Sequence, residues 1–160
     1  MKKIRLAGVL LLVLMLAGCG TKTEKDSAYL TVRANEGRIE IEKELLSEDV
    51  RYVNYDTGDQ MMQLLAGVAS DGSFRVALNT CQSCNPSPKA YFVQQNGKLI
   101  CQNCGNVFTM DDVGNQAFGC NPTYIESTQT EEKIVVTTEE LQVYAPMFSN
   151  WGGPTDDVEN

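Results

Sequence analysis

Two Cys-x-x-Cys pairs constrain this chain more tightly than anything else in it. Cys81-Gln82-Ser83-Cys84 and Cys101-Gln102-Asn103-Cys104 stand sixteen residues apart, and Cys120 follows alone. A Cys-x-x-Cys turn aims two sulfurs at one point, and a second turn brought opposite it completes a tetrahedron of soft ligands. The fold must therefore bring two short turns face to face. A metal-binding knuckle commonly needs a left-handed backbone position just past its second thiolate. Gly105 supplies that at no steric cost, and Asn85 is among the few other residues that tolerate it. Backbone N–H groups around Asn85 and Gly105 are then expected to donate to the sulfurs and tune a bound cofactor. The chain has no histidine. That excludes a Cys-x-x-Cys-His haem attachment, a His-ligated Rieske centre, a Cys/His zinc finger and a serine–histidine couple. Any metal here is held mainly by sulfur.

The amino terminus points to the compartment. Lys2, Lys3 and Arg5 precede an apolar run from Leu6 to Leu16, and Leu16-Ala17-Gly18-Cys19 has the small residues of a cleavage site. The pattern resembles a bacterial lipobox. It implies a signal peptide over residues 1–18 and Cys19 as the lipidated (palmitate-bearing) first residue of the mature protein. A tether would then run through residues 19–35, with the domain held by its lipid anchor on the extracytoplasmic side of a bacterial membrane. The apolar run is shorter than the roughly 18 to 20 residues a spanning helix needs. A net charge of −8, more negative once the leader's cations are removed, argues against nucleic acid, which selects clustered Lys and Arg. It also disfavours electrostatic docking on anionic lipid, so the covalent anchor must do the tethering. A solvated, repulsive surface is the simplest use of the acidity; docking on a basic redox partner is the sharper one.

Most segments beyond the tether have strand character. Arg38-Ile39-Glu40-Ile41-Glu42 alternates apolar and polar, Val50 to Tyr55 is rich in β-branched and aromatic residues, and Met61 to Ala69 reads as a central strand. Asp71-Gly72 predicts a hairpin into Phe74–Leu78, and Asn96-Gly97 predicts a second joining Ala90–Gln94 to Lys98–Cys101. In that second hairpin one strand starts just past the first knuckle and the other runs into the second, so both pairs lie at one end of a ribbon. Lys133 to Thr137 is a further strand, and Thr138-Glu139-Glu140-Leu141 opens a short helix. The expected fold is mainly β with a short C-terminal helix, a small α+β domain over residues 36–150, followed by a frayed acidic tail over 151–160.

Exported cysteines usually form disulfides, but five thiols besides Cys19 is an odd number, and Cys-x-x-Cys loops are too short to be efficient staples. A thioredoxin-like dithiol should open a helix, whereas Asn85-Pro86-Ser87-Pro88 breaks structure and Asn106-Val107-Phe108-Thr109 looks extended. Asp111-Asp112 lacks calcium-loop spacing, and of Met61 and Met62 one is most simply core.

The compound pattern running from Asp71-Gly72 through Ala77-Leu78-Asn79-Thr80-Cys81, Ile100-Cys101-Gln102-Asn103-Cys104-Gly105-Asn106-Val107-Phe108 and Val113-Gly114 to Gly119-Cys120-Asn121-Pro122 resembles the FtrD-like membrane iron–sulfur protein family. The likeness covers about Arg38 to Phe148. It implies an iron or iron–sulfur cofactor held by Cys81, Cys84, Cys101 and Cys104, with Cys120 as a substitute ligand or a redox-active neighbour, and electron transfer or iron handling beside a membrane iron-transport partner, with no substrate of the protein's own. Asn79 departs from the acid expected in relatives, and Phe118-Gly119 replaces a Gly-Gly pair. Lys98 to Gly114 also looks like half of a Rieske domain with Cys104 in place of its histidine, a likeness that suggests only a small β-rich or ribbon-like fold. The leader is not twin-arginine, so export passes an unfolded chain, and a cluster would have to assemble outside. A lone iron or zinc ion could be captured there by the knuckles. Zinc held purely for folding in a protein-interaction module is therefore the alternative, and a disulfide or dithiol redox lipoprotein the other.

Overall fold

A computed structural model describes residues 27–114 and 119–156. The leader, Cys19 and Phe118 lie outside the described residues. A central five-stranded sheet is built from β1 (Tyr29–Val32), β3 (Arg51–Asp56), β4 (Met61–Val68), β5 (Phe74–Cys81) and β9 (Pro122–Thr123), in that spatial order. β1 runs parallel to β3, and the other neighbours are antiparallel. The run Met61–Val68 is buried on both faces because each face carries its own three-stranded sheet.

On one face lie β2 (Arg38–Glu42), β10 (Thr128–Gln129) and β11 (Lys133–Thr137), with helix α1 (Thr138–Tyr144) closing the end. Ile39, Ile41, Ile134, Val136 and Leu141 meet Val53, Met62, Leu64, Val76 and Leu78 in the larger apolar core. The alternation in β2 makes this possible: Ile39 and Ile41 point inward, while Glu40 stays outside to pair with Lys133 at 2.7 Å. Helix α1 starts where the Thr137 side chain accepts the Glu140 N–H. The opposite face carries β6 (Phe92–Gln95), β7 (Lys98–Cys101) and β8 (Val107–Phe108). Their Phe92, Leu99 and Cys101 pack on Tyr52, Leu65, Ala77 and Cys81. Asn96 and Gly97 both take positive φ, 51° and 74°, the turn that suits the twist of a tight hairpin.

The mainly β architecture with one short C-terminal helix agrees with the sequence reading, and both hairpins fall at the expected turns. Three expectations are corrected. The tether cannot extend to residue 35, because Tyr29–Val32 is a strand paired along its length with Tyr52–Tyr55. Ala90 and Tyr91 precede the strand, which starts at Phe92. Residues 151–155 are not frayed. The Trp151 indole N–H donates to the Asn79 carbonyl at 2.8 Å, the Gly152 N–H to the Pro88 carbonyl at 2.9 Å, and the carbonyls of Pro154 and Thr155 accept from Gln63 and Asn54. These bonds strap the C-terminal segment across the cysteine-bearing side.

Candidate metal centre

Strand ends deliver the first thiol of each pair. Cys81 is the last residue of β5 and Cys101 the last of β7; both are buried. The turns that follow have the same backbone closure: the Asn85 N–H donates to the Cys81 carbonyl at 3.0 Å and the Gly105 N–H to the Cys101 carbonyl at 2.9 Å. Between them, Ala90 accepts the Cys81 N–H and Tyr91 accepts the Gln102 N–H. One dipeptide thus bridges the two knuckles. Cys120 comes from a third direction, because β5 pairs with β9 through Cys81 and Pro122 and so carries Cys120 to the mouth of the first knuckle.

The five sulfurs converge. Those of Cys81, Cys84, Cys101 and Cys120 all lie within 4.8 Å of one another. Cys84 and Cys101 are 3.7 Å apart and Cys81 and Cys120 3.2 Å, while the exposed Cys104 sits 3.0 Å from Cys120. All five are free thiols. Four thiolates on one tetrahedral ion at about 2.3 Å place their sulfurs about 3.8 Å apart, so this donor set fits a thiophilic metal. Removal from water raises the Cys84, Cys101 and Cys120 thiols above the ordinary value. Cys104 instead falls to about 7, chiefly because Cys120 donates a hydrogen bond to it and the Asn106 N–H donates another. Burial that raises bare thiols is reversed by a cation, whose charge favours the thiolate.

The two tuning residues expected from sequence are placed differently. Gly105 takes the left-handed conformation, φ 77°, but Asn85 does not. Asn85 precedes Pro86, and a proline ring restricts the residue before it toward extended backbone. Its side chain instead donates to Thr80 at 3.2 Å and to the Met147 carbonyl at 2.7 Å, fastening the first knuckle to the C-terminal segment. Both backbone N–H groups close turns onto carbonyls. Backbone N–H groups on either side of Gly105 donate to sulfur, Cys101 receiving those of Asn103 and Cys104 and Cys104 that of Asn106, while Cys84 receives the Asn103 side chain. Asn103 also accepts from the Ser87 hydroxyl at 2.7 Å, linking one knuckle to the other. Its position inside a Cys-x-x-Cys was the available signal. Asp111 and Asp112 do ordinary loop work, accepting from Ser70 and capping Thr109.

Beneath the site runs a buried amide ladder that sequence reading missed. Asn54 on β3, Gln63 on β4 and Asn79 on β5 face the cysteine side in register; Gln63 donates to Asn54 and Asn79 to Gln63, both at 2.7 Å. Asn79 then accepts the Phe92 N–H at 2.8 Å and donates to its carbonyl at 3.3 Å. An acid at position 79 could accept from Phe92, but when ionised it could not donate to Gln63. The asparagine departure is thus satisfied by its neighbours.

Residues 45–148 match the FtrD-like family, described as membrane iron-sulfur containing proteins. The match spans more than half of the chain, and the chain belongs to this family. No curated protein and no solved structure matches it. Among the described residues no helix is long and apolar enough to cross a membrane.

Proposed function

We propose that this FtrD-like protein is an extracytoplasmic, lipid-anchored iron protein that transfers electrons, or handles iron, beside an iron-transport system of the membrane. The observation that carries the reading is that four free thiols from three separate segments lie within 4.8 Å of one another, with a fifth, Cys104, 3.0 Å from Cys120. Family membership supports iron and the membrane. When bound, thiolate-held iron supplies a one-electron couple whose potential follows charge, hydrogen bonds to sulfur and solvent access. Cys81, Cys84, Cys101, Cys104 and Cys120 provide the sulfur. The Asn103 amide and the N–H groups of Asn103, Cys104 and Asn106 hold negative charge on it, while Phe92, Leu99 and Val113 exclude water from the inner side. Cys104 leaves one edge open to solvent, as exchange with a partner requires. The acidic surface is available to a basic partner, and Cys19 carries the lipid.

Protein purified without added metal should be coloured by thiolate-to-iron charge transfer and contain iron by elemental analysis. A colourless protein with one equivalent of zinc would replace this reading with a structural zinc module, which the same four-thiolate donor set also fits. Radiolabelled palmitate should enter the wild-type chain and not a Cys19→Ala variant; equal labelling would remove the anchor.

A further inference from the structure

Resting on that metal-binding reading, we infer that the centre is built for a single ion, and that its fourth coordination position is served by either Cys104 or Cys120. The spacing of the sulfurs carries the first half. In a two- or four-iron cluster, cysteines bound to different irons stand apart by an iron–iron separation and two outward Fe–S bonds, with inorganic sulfide between. Here Cys81, Cys84, Cys101 and Cys120 all lie inside 4.8 Å, and Cys84 and Cys101 are 3.7 Å apart. That is the scale of one tetrahedral ion, whose sulfurs sit about 3.8 Å from one another. Cys81 and Cys120, at 3.2 Å, need open by only about half an ångström to reach it. The iron of this chain is then bound by cysteine sulfur without inorganic sulfide.

Counting carries the second half. A closed tetrahedral site takes four ligands, and five thiols converge here. Cys120 belongs to the mutually close quartet. Cys104 has the complementary claim: it is the second thiol of a knuckle whose backbone already donates to its sulfur through Asn106. The two sulfurs lie 3.0 Å apart, so an ion held by Cys81, Cys84 and Cys101 has both within reach of its one remaining position. Cys120 reaches that position from β9 and Cys104 from the β7 turn, on the solvent side. Exchange between them exposes or covers the ion without dismantling the other three ligands.

The test is iron, zinc and acid-labile sulfide per chain in the full-length protein and in Cys104→Ser, Cys120→Ser, the double variant and Cys84→Ser. Far-ultraviolet circular dichroism checks the fold of each. Expected are one metal ion and no labile sulfide in the wild type. Each single variant at 104 or 120 should keep its ion with a shifted charge-transfer band, and the double variant and Cys84→Ser should lose it. Two or more irons with labile sulfide would overturn the single-ion centre while leaving the proposed function standing. A folded single variant at 104 or 120 that binds neither ferrous iron nor zinc would overturn the shared position. A wild-type protein with no metal would overturn both this inference and the reading it rests on.

Discussion

The two faces of the central sheet solve different problems with the same strands. On the β2–β10–β11 side, β3, β4 and β5 present Val53, Leu64 and Leu78 to a continuous aliphatic core. On the opposite side Tyr52, Leu65 and Ala77 lie in a second apolar cluster under a small hairpin sheet, and beside them on the same strands stand Asn54, Gln63 and Asn79, with Cys81 beyond. The first face gains stability from apolar area, which is non-directional and forgiving of detail. The second adds to its own apolar cluster paired amides and convergent thiols, whose burial is favourable only when every partner is present. The fold is thus anchored on one side so that a demanding polar site can be held on the other.

If that division is right, damage to the two faces should differ in kind. Leu64→Ala should cost about 2–5 kcal/mol by leaving a cavity in the aliphatic core, measured by chemical denaturation, while the folded fraction keeps its wild-type metal content. Loss of metal without loss of stability would break the contrast. Asn79→Ala strands Gln63 and the backbone of Phe92, and should cost about 1–3 kcal/mol together with a faster release of metal to a chelator. A variant that released metal at the wild-type rate would separate the ladder from the site. Trp151→Phe removes one hydrogen bond to the Asn79 carbonyl while keeping an aromatic ring against Tyr91 and Phe148. It should cost about 0.5–1.5 kcal/mol.

The smallest effect concerns protons. In metal-free protein Cys104 titrates at about 7, below the ordinary thiol value of 9.0, because Cys120 and the Asn106 N–H donate to its thiolate. A lowered folded-state value contributes stability that is present above the unfolded value and lost as pH falls through about 7. Alkylation by iodoacetamide should therefore modify Cys104 before Cys84, Cys101 or Cys120, with a rate that rises through a midpoint near 7. A midpoint near the ordinary thiol value would mean that those donors do not hold the thiolate.

What the sequence disclosed followed the range of the interactions involved. The hairpins at Asp71-Gly72 and Asn96-Gly97, the alternation in Arg38–Glu42 and the helix after Thr137 are set by neighbouring residues, and all were legible. Tyr29–Val32 reads as part of the tether because four residues beside a polar stretch carry little local signal, and their parallel pairing with β3 is non-local. The strap at 151–155 was hidden because its bonds run largely through backbone groups, which any residue supplies. The two Cys-x-x-Cys pairs announced a soft-metal site by spacing alone. How Cys120 joins it depends on the two-residue pairing of β9 with β5, and the amide that reaches Cys84 comes from an x position of the second knuckle, where Asn103 looks like any polar turn residue.

Extended X-ray absorption at the iron edge, on protein as isolated, reads the central claim at the atom it concerns. The account predicts four sulfur neighbours at about 2.3 Å and no iron scatterer beyond them. Oxygen and nitrogen in place of the sulfurs would contradict it, and an iron neighbour in the next shell would contradict the single-ion centre alone.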